Sequence, residues 1–127
     1  MLSGDFFYIT SLDQDDGKIN AVLEINTIHK IFEGHFPGQP VVPGVCMMQM
    51  VKEVLEAALV KSTRLVSADS LKFLAIIDPT ENNSIHAEIR YAIAEDGKIK
   101  VGALLVNESV TYFKMNGVFI FEGNETL

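Results

Sequence analysis

The stretch HFPGQPVVPGVCMMQMVKE, running from His35 to Glu53, decides how this chain reads. Pro37, Pro40 and Pro43 each fix φ near −65°, and Gly38 and Gly44 supply the conformations that other residues resist, so a stiff loop is expected after His35. From Val45 to Lys61 there is no glycine or proline, and Val, Met, Leu, Ala and Glu dominate, which predicts a helix. Pro43 suits the first helical position, leaving the amides of Gly44 and Val45 unpaired at the positive end of the helix. Two such amides polarise a carbonyl oxygen. With His35 nearby as a base, they form an oxyanion hole suited to removing a proton beside a thioester carbonyl. A loop histidine that merely satisfies its neighbours fits the same spacing, and the residues alone leave both readings open.

Working outward, the helix is apolar almost all round in its first turns (Cys46, Met47, Met48, Met50, Val51), as expected of a buried central helix. Gln49, Lys52, Glu53 and Glu56 form a polar stripe. Lys52 and Glu56 read as its solvated side, and the residues alone leave Gln49 and Glu53 open. Upstream, residues 5–12 form an apolar, β-prone run that ends in the turn chemistry of Asp13 to Gly17. Ile19, Ala21, Leu23 and Ile25 then alternate with Lys18, Asn20, Glu24 and Asn26, and the two runs predict a hairpin. Downstream, strand-like runs at 64–77, 84–94, 98–107 and 109–121 predict an antiparallel meander. His29 and His86 read as surface residues without a role, and the tail Gly123 to Leu127 as frayed. One helix among long strands predicts an α+β fold, a curved antiparallel sheet wrapped around one central helix, with residues 1–127 as a single domain. Strand edges left bare by so small a sheet predict a homodimer, or a higher oligomer of dimers.

The net charge of −7, with only 10 scattered Lys and Arg against 17 Asp and Glu, argues against nucleic acid as a partner. No apolar run approaches a membrane span, and the first residues lack the basic then apolar order of a secretory signal, so a cytoplasmic location is expected. The single Cys46 forms no intrachain disulfide and supplies no cysteine metal cluster; neither metal nor cofactor is expected.

The segment H-F-P-G-Q-P-V-V-P-G-V closely resembles the active-site loop of the 3-hydroxyacyl-acyl-carrier-protein dehydratases, which have the hotdog fold. The likeness extends upstream through Gly17 to Val22 and Phe32-Glu33-Gly34, and downstream through Leu71-Lys72-Phe73 to Asp78-Pro79. That family's amino-terminal Arg-Tyr-Pro pattern has no counterpart in Gly4 to Ile9. The resemblance implies dehydration of a 3-hydroxyacyl thioester carried on the phosphopantetheine arm of an acyl carrier protein. It assigns His35 as the base, the Gly44 and Val45 amides as the oxyanion hole, and a dimer in which each His35 faces the partner's helix. Docking of an acidic carrier would draw on Lys30, Lys61, Arg64, Lys72, Lys98 or Lys100. One departure stands out. The family's catalytic Glu or Asp falls at Gln49, and its frequent Gln four residues on falls at Glu53, one turn along the helix. An amide does not release a proton at neutral pH. Three routes follow: His35 returns the proton itself, Glu53 or a water substitutes, or the protein binds acyl thioesters without dehydrating them. A hotdog thioesterase is a further alternative.

Overall fold

The structure, a computed structural model, describes residues 1–34 and 40–122. The strands are β1 (Phe7–Asp15), β2 (Lys18–Ile25), β3 (Thr63–Phe73), β4 (Ser84–Ile93), β5 (Ile99–Asn107) and β6 (Val110–Phe121). A single turn, α1 (Ile31–Gly34), precedes the long helix α2 (Gly44–Leu59). The six strands form one antiparallel sheet in the order β1-β2-β4-β5-β6-β3, curved around α2 in the arrangement of the hotdog fold.

The alternation expected of β2 is realised, and β4 and β5 show the same pattern. Ile19, Ala21, Leu23 and Ile25, then Ile85, Ala87 and Ile89, then Ile99, Val101, Ala103 and Leu105 are buried, while Lys18, Asn20, His86, Glu88 and Arg90 face out. From the other side α2 buries Met47, Met50, Val51, Val54 and Leu55 against that layer. Cys46 is buried with them as a free thiol, and burial pushes its pKa up.

Four expectations need correction. β1 does not end before Asp13 but runs to Asp15, because the reversal takes only Asp16 and Gly17. Both have positive φ, 48° and 79°, as a tight hairpin turn between twisted strands requires, and a Cβ on Gly17 would lie 2.8 Å from the Tyr91 carbonyl oxygen. The run at 64–77 is strand only to Phe73, since the amides of Leu74 and Ala75 both turn onto the Tyr112 carbonyl and leave the ladder. It is also not the first member of a meander, because β3 pairs with the far side of β6 at the sheet edge. Pro43 precedes the helix instead of opening it: its φ of −62° suits either place, but its ψ of 147° is extended, so the first helical residue is Gly44. The expected fraying of residues 123–127 and the stiff loop through Pro37 and Gly38 fall outside the described residues.

Candidate functional site

The entry to α2 is held from both sides. The Val42 amide donates to the Ile77 carbonyl at 3.0 Å, which ties the chain entering the helix to the chain leaving β3. Phe73, the last residue of β3, lays its ring over Gly44, where an added Cβ would meet ring carbons at 2.9–3.4 Å. A side chain at position 44 would have to push the Phe73 ring aside. The amides of Cys46 and Met47 both donate to the Pro43 carbonyl, at 3.0 and 3.3 Å. Those of Gly44 and Val45 make no backbone hydrogen bond among the described residues, and no side chain caps the helix. Among the described residues, the two amides assigned to the oxyanion hole thus have no acceptor, at the positive end of a helix.

A groove of about 240 Å³ runs between α2 and the strands β3 and β6. Val45, Met48 and Gln49 line it from the helix, Leu65, Met115 and Phe119 from the sheet, and Lys52 and Arg64 bring cations to it. Val45 is 72% exposed, although the first turns read as apolar almost all round and the helix as buried, because this side of α2 faces the groove and not the core. The structure thus brings Gln49 and Val45 to one surface, with Gly44 beside it. His35, the assigned base, lies outside the described residues.

Glu53 is elsewhere. It is 2% exposed, so it does not belong to a solvated stripe, and it does not line the groove. Its Oε1 accepts from the Ser3 amide at 2.6 Å, and its Oε2 accepts from the Leu2 amide at 2.8 Å and from Gln49 Nε2 at 2.8 Å. The amino-terminal segment that these bonds hold closes on itself, with the amides of Asp5, Phe6 and Phe7 all directed to the Leu2 carbonyl. Glu56 is not simply solvated either. It accepts from the Thr63 amide at 2.6 Å and pairs with Lys52 at 3.5 Å, joining the end of α2 to the start of β3.

His29 is also more than a surface residue. It is half-buried, packs edge-on against Phe6 with centroids 5.3 Å apart, and accepts the Ile31 amide at Nδ1. With Nδ1 an acceptor, Nε2 carries the proton and donates to Asp5 Oδ2 at 3.0 Å. This pins the start of α1, the turn immediately before residue 35. Sequence spacing offered no signal for it, since Asp5 and Phe6 are distant in the chain. Of the basic residues considered for docking, Arg64 lines the groove, Lys61 lies 5.0 Å over the Phe121 ring, and Lys98 is 4.0 Å from Asp96. Among the described residues no helix is long and apolar enough to cross a membrane.

Comparison with known proteins bears on this geometry. The family model of the ApeI-like proteins, described as ApeI dehydratase, matches residues 11–113. The 3-hydroxyacyl-(acyl-carrier-protein) dehydratase FabZ of Rhizorhabdus wittichii is 27% identical over 108 residues, 85% of this chain and 60% of that protein. The FabZ of Thermus thermophilus is 26% identical over 105 residues, 76% of this chain and 74% of that protein. The chain thus spans under two thirds of the first relative's length and about three quarters of the second's. In structure, the dehydratase heterocomplex ApeI:P from Xenorhabdus doucetiae superposes with a TM-score of 0.70 at 19% identity, covering 88% of this chain and 96% of that one. The Escherichia coli PaaI protein from the phenylacetic acid degradation operon gives 0.64 at 12% identity, covering 89% and 79%. At these identities the two structures speak for the fold.

Proposed function

The chain belongs to the ApeI-like dehydratase family, and from that membership we propose that it is a hydro-lyase acting on 3-hydroxyacyl thioesters of an acyl carrier protein, in fatty-acid or related acyl-chain biosynthesis. The observation that carries this reading is the groove in which Gln49, at the family's acid position, shares a surface with Val45 at the uncapped start of α2. The thioester oxygen accepts from the Gly44 and Val45 amides as charge develops on it. His35 takes the C2 proton, electrons move to form the C2–C3 double bond, and the C3–O bond breaks. The departing hydroxide then needs a proton. Gln49 has none to release, and Glu53 is surrounded by three donors and absent from the groove, so it is an unsuitable substitute. The proton returns from the His35 imidazolium, and water leaves. Loss of a general acid typically costs about 10²- to 10⁴-fold, so the expected enzyme is slow.

The commitment of Glu53 favours one second reading, a subunit that binds acyl thioesters without dehydrating them. The two separate in one assay. Wild-type protein should interconvert a 3-hydroxyacyl and a trans-2-enoyl thioester slowly, followed by enoyl absorbance, and His35→Ala should abolish this while leaving the fold intact by circular dichroism. Binding with no wild-type turnover would establish the silent subunit, and release of free acid would establish a thioesterase instead.

A further inference from the structure

Gln49 and Glu53 fix each other's polarity. A carboxylate only accepts hydrogen bonds, so the end of the Gln49 amide that meets Glu53 Oε2 at 2.8 Å has to be its NH₂ group. The Leu2 and Ser3 amides, at 2.8 and 2.6 Å, occupy the same carboxylate and hold it in place from the other side. The amide of Gln49 is planar, so its Oε1 is turned away from Glu53. Gln49 lines the groove and Glu53 does not, and among the described residues no donor reaches that oxygen. What the groove receives at the position of the family's acid is an oriented carbonyl acceptor.

We infer that Gln49 Oε1 receives the 3-hydroxyl of the acyl chain as a hydrogen-bond acceptor, and that Glu53 is a positioning residue that holds the amide in this orientation. This rests on the reading of the groove as the acyl-thioester site. An acceptor there favours a ligand that carries a hydroxyl at C3 over one that carries only hydrogens. The site therefore selects for the hydrated side of the reaction, which an acid at the same position is not needed to do. A net hydrogen bond of ordinary strength corresponds to about tenfold in affinity.

The test uses unreactive ligands, 3-hydroxybutyryl-pantetheine and butyryl-pantetheine with the thioester replaced by an amide, titrated calorimetrically into the full chain. Wild type should bind the hydroxylated ligand about tenfold more tightly. Gln49→Leu should bring the ratio to about one. Glu53→Gln keeps the shape but allows the Gln49 amide to turn either way, so the ratio should fall there as well. A purely structural role for Glu53 would change the affinities for both ligands together and leave the ratio intact, which would overturn its positioning role. Equal wild-type affinities, or a ratio unchanged in Gln49→Leu, would overturn the acceptor assignment and leave the acyl-thioester reading standing. No binding of either ligand would overturn both.

Discussion

At position 49 the chain carries an amide where the family carries an acid, and at position 53 an acid where it often carries an amide. The helix-face pair is kept with its polarity reversed: Gln49 donates and Glu53 accepts. Gln49→Glu alone therefore sets a second carboxylate against a buried first one, with the 2.8 Å bond replaced by repulsion. It should destabilise the fold by about 1.5–3 kcal/mol, read as a lowered Tm, and gain little activity. The paired exchange Gln49→Glu with Glu53→Gln removes the repulsion and puts a proton donor in the groove, while leaving the Leu2 and Ser3 amides one acceptor oxygen in place of two. Enoyl formation should then rise by roughly 10²- to 10⁴-fold over wild type. A paired variant that folds and gains nothing would separate position 49 from the chemistry. Gln49 was singled out in the sequence because the family resemblance of the loop motif puts the family's acid at its position. The setting of Glu53 was not legible, because its partners are backbone amides of Leu2 and Ser3, about fifty residues away, and an amide has no residue identity to read. Separation in the chain likewise hid the bond from His29 to Asp5, 24 residues away.

Elements were legible where local chemistry decides them. Period-two alternation placed β2, strand-like runs between turn residues placed β4 and β5, and the absence of breakers placed α2, because these patterns depend only on neighbours in the chain. Their ends were less legible. α2 was expected to reach Lys61, yet it stops at Leu59 because Val60 takes φ 56° and ψ 40°, with its amide turned to the Glu56 carbonyl. A β-branched residue is a poor occupant of the left-handed region, and no sequence rule would place valine there. What holds it is the short path from α2 to Thr63, whose amide is fixed on Glu56. Val60 is 83% exposed, so replacing it removes no core contact. Val60→Gly should relieve strain of about 1–2 kcal/mol, less part of the entropy that glycine adds to the unfolded chain. The net gain should be about 0.5–1 kcal/mol, measured by thermal or urea unfolding, and a loss of stability would show that the conformation carries no strain.

For the whole molecule, the sheet order was less legible than the sheet, because which strand lies beside which depends on pairings distant in sequence, and β3 crosses to the outside of β6. That placement leaves β3 as an edge strand, and the chain leaving it is unusually apolar for a surface. Phe73, Leu74 and Ile76 are 52, 53 and 67% exposed, Val45 is 72% exposed, and Val66 on β3 itself is 47% exposed. They are not scattered, since the Phe73 ring covers Gly44 and the Val42 amide is bonded to Ile77, so most of them gather around one end of α2. An open strand edge beside an apolar patch is a surface that a second copy covers. We propose a homodimer through this face. Wild-type protein should give a dimer mass by light scattering at micromolar concentration. Ile76→Glu adds a charge where the side chain is already exposed, so the protomer should keep its circular dichroism while the dimer weakens by tenfold or more. If the site is shared between copies, turnover should fall in step with the dimer fraction on dilution. A wild-type monomer at micromolar concentration would remove the assembly, and an Ile76→Glu dimer as tight as wild type would move it to another face.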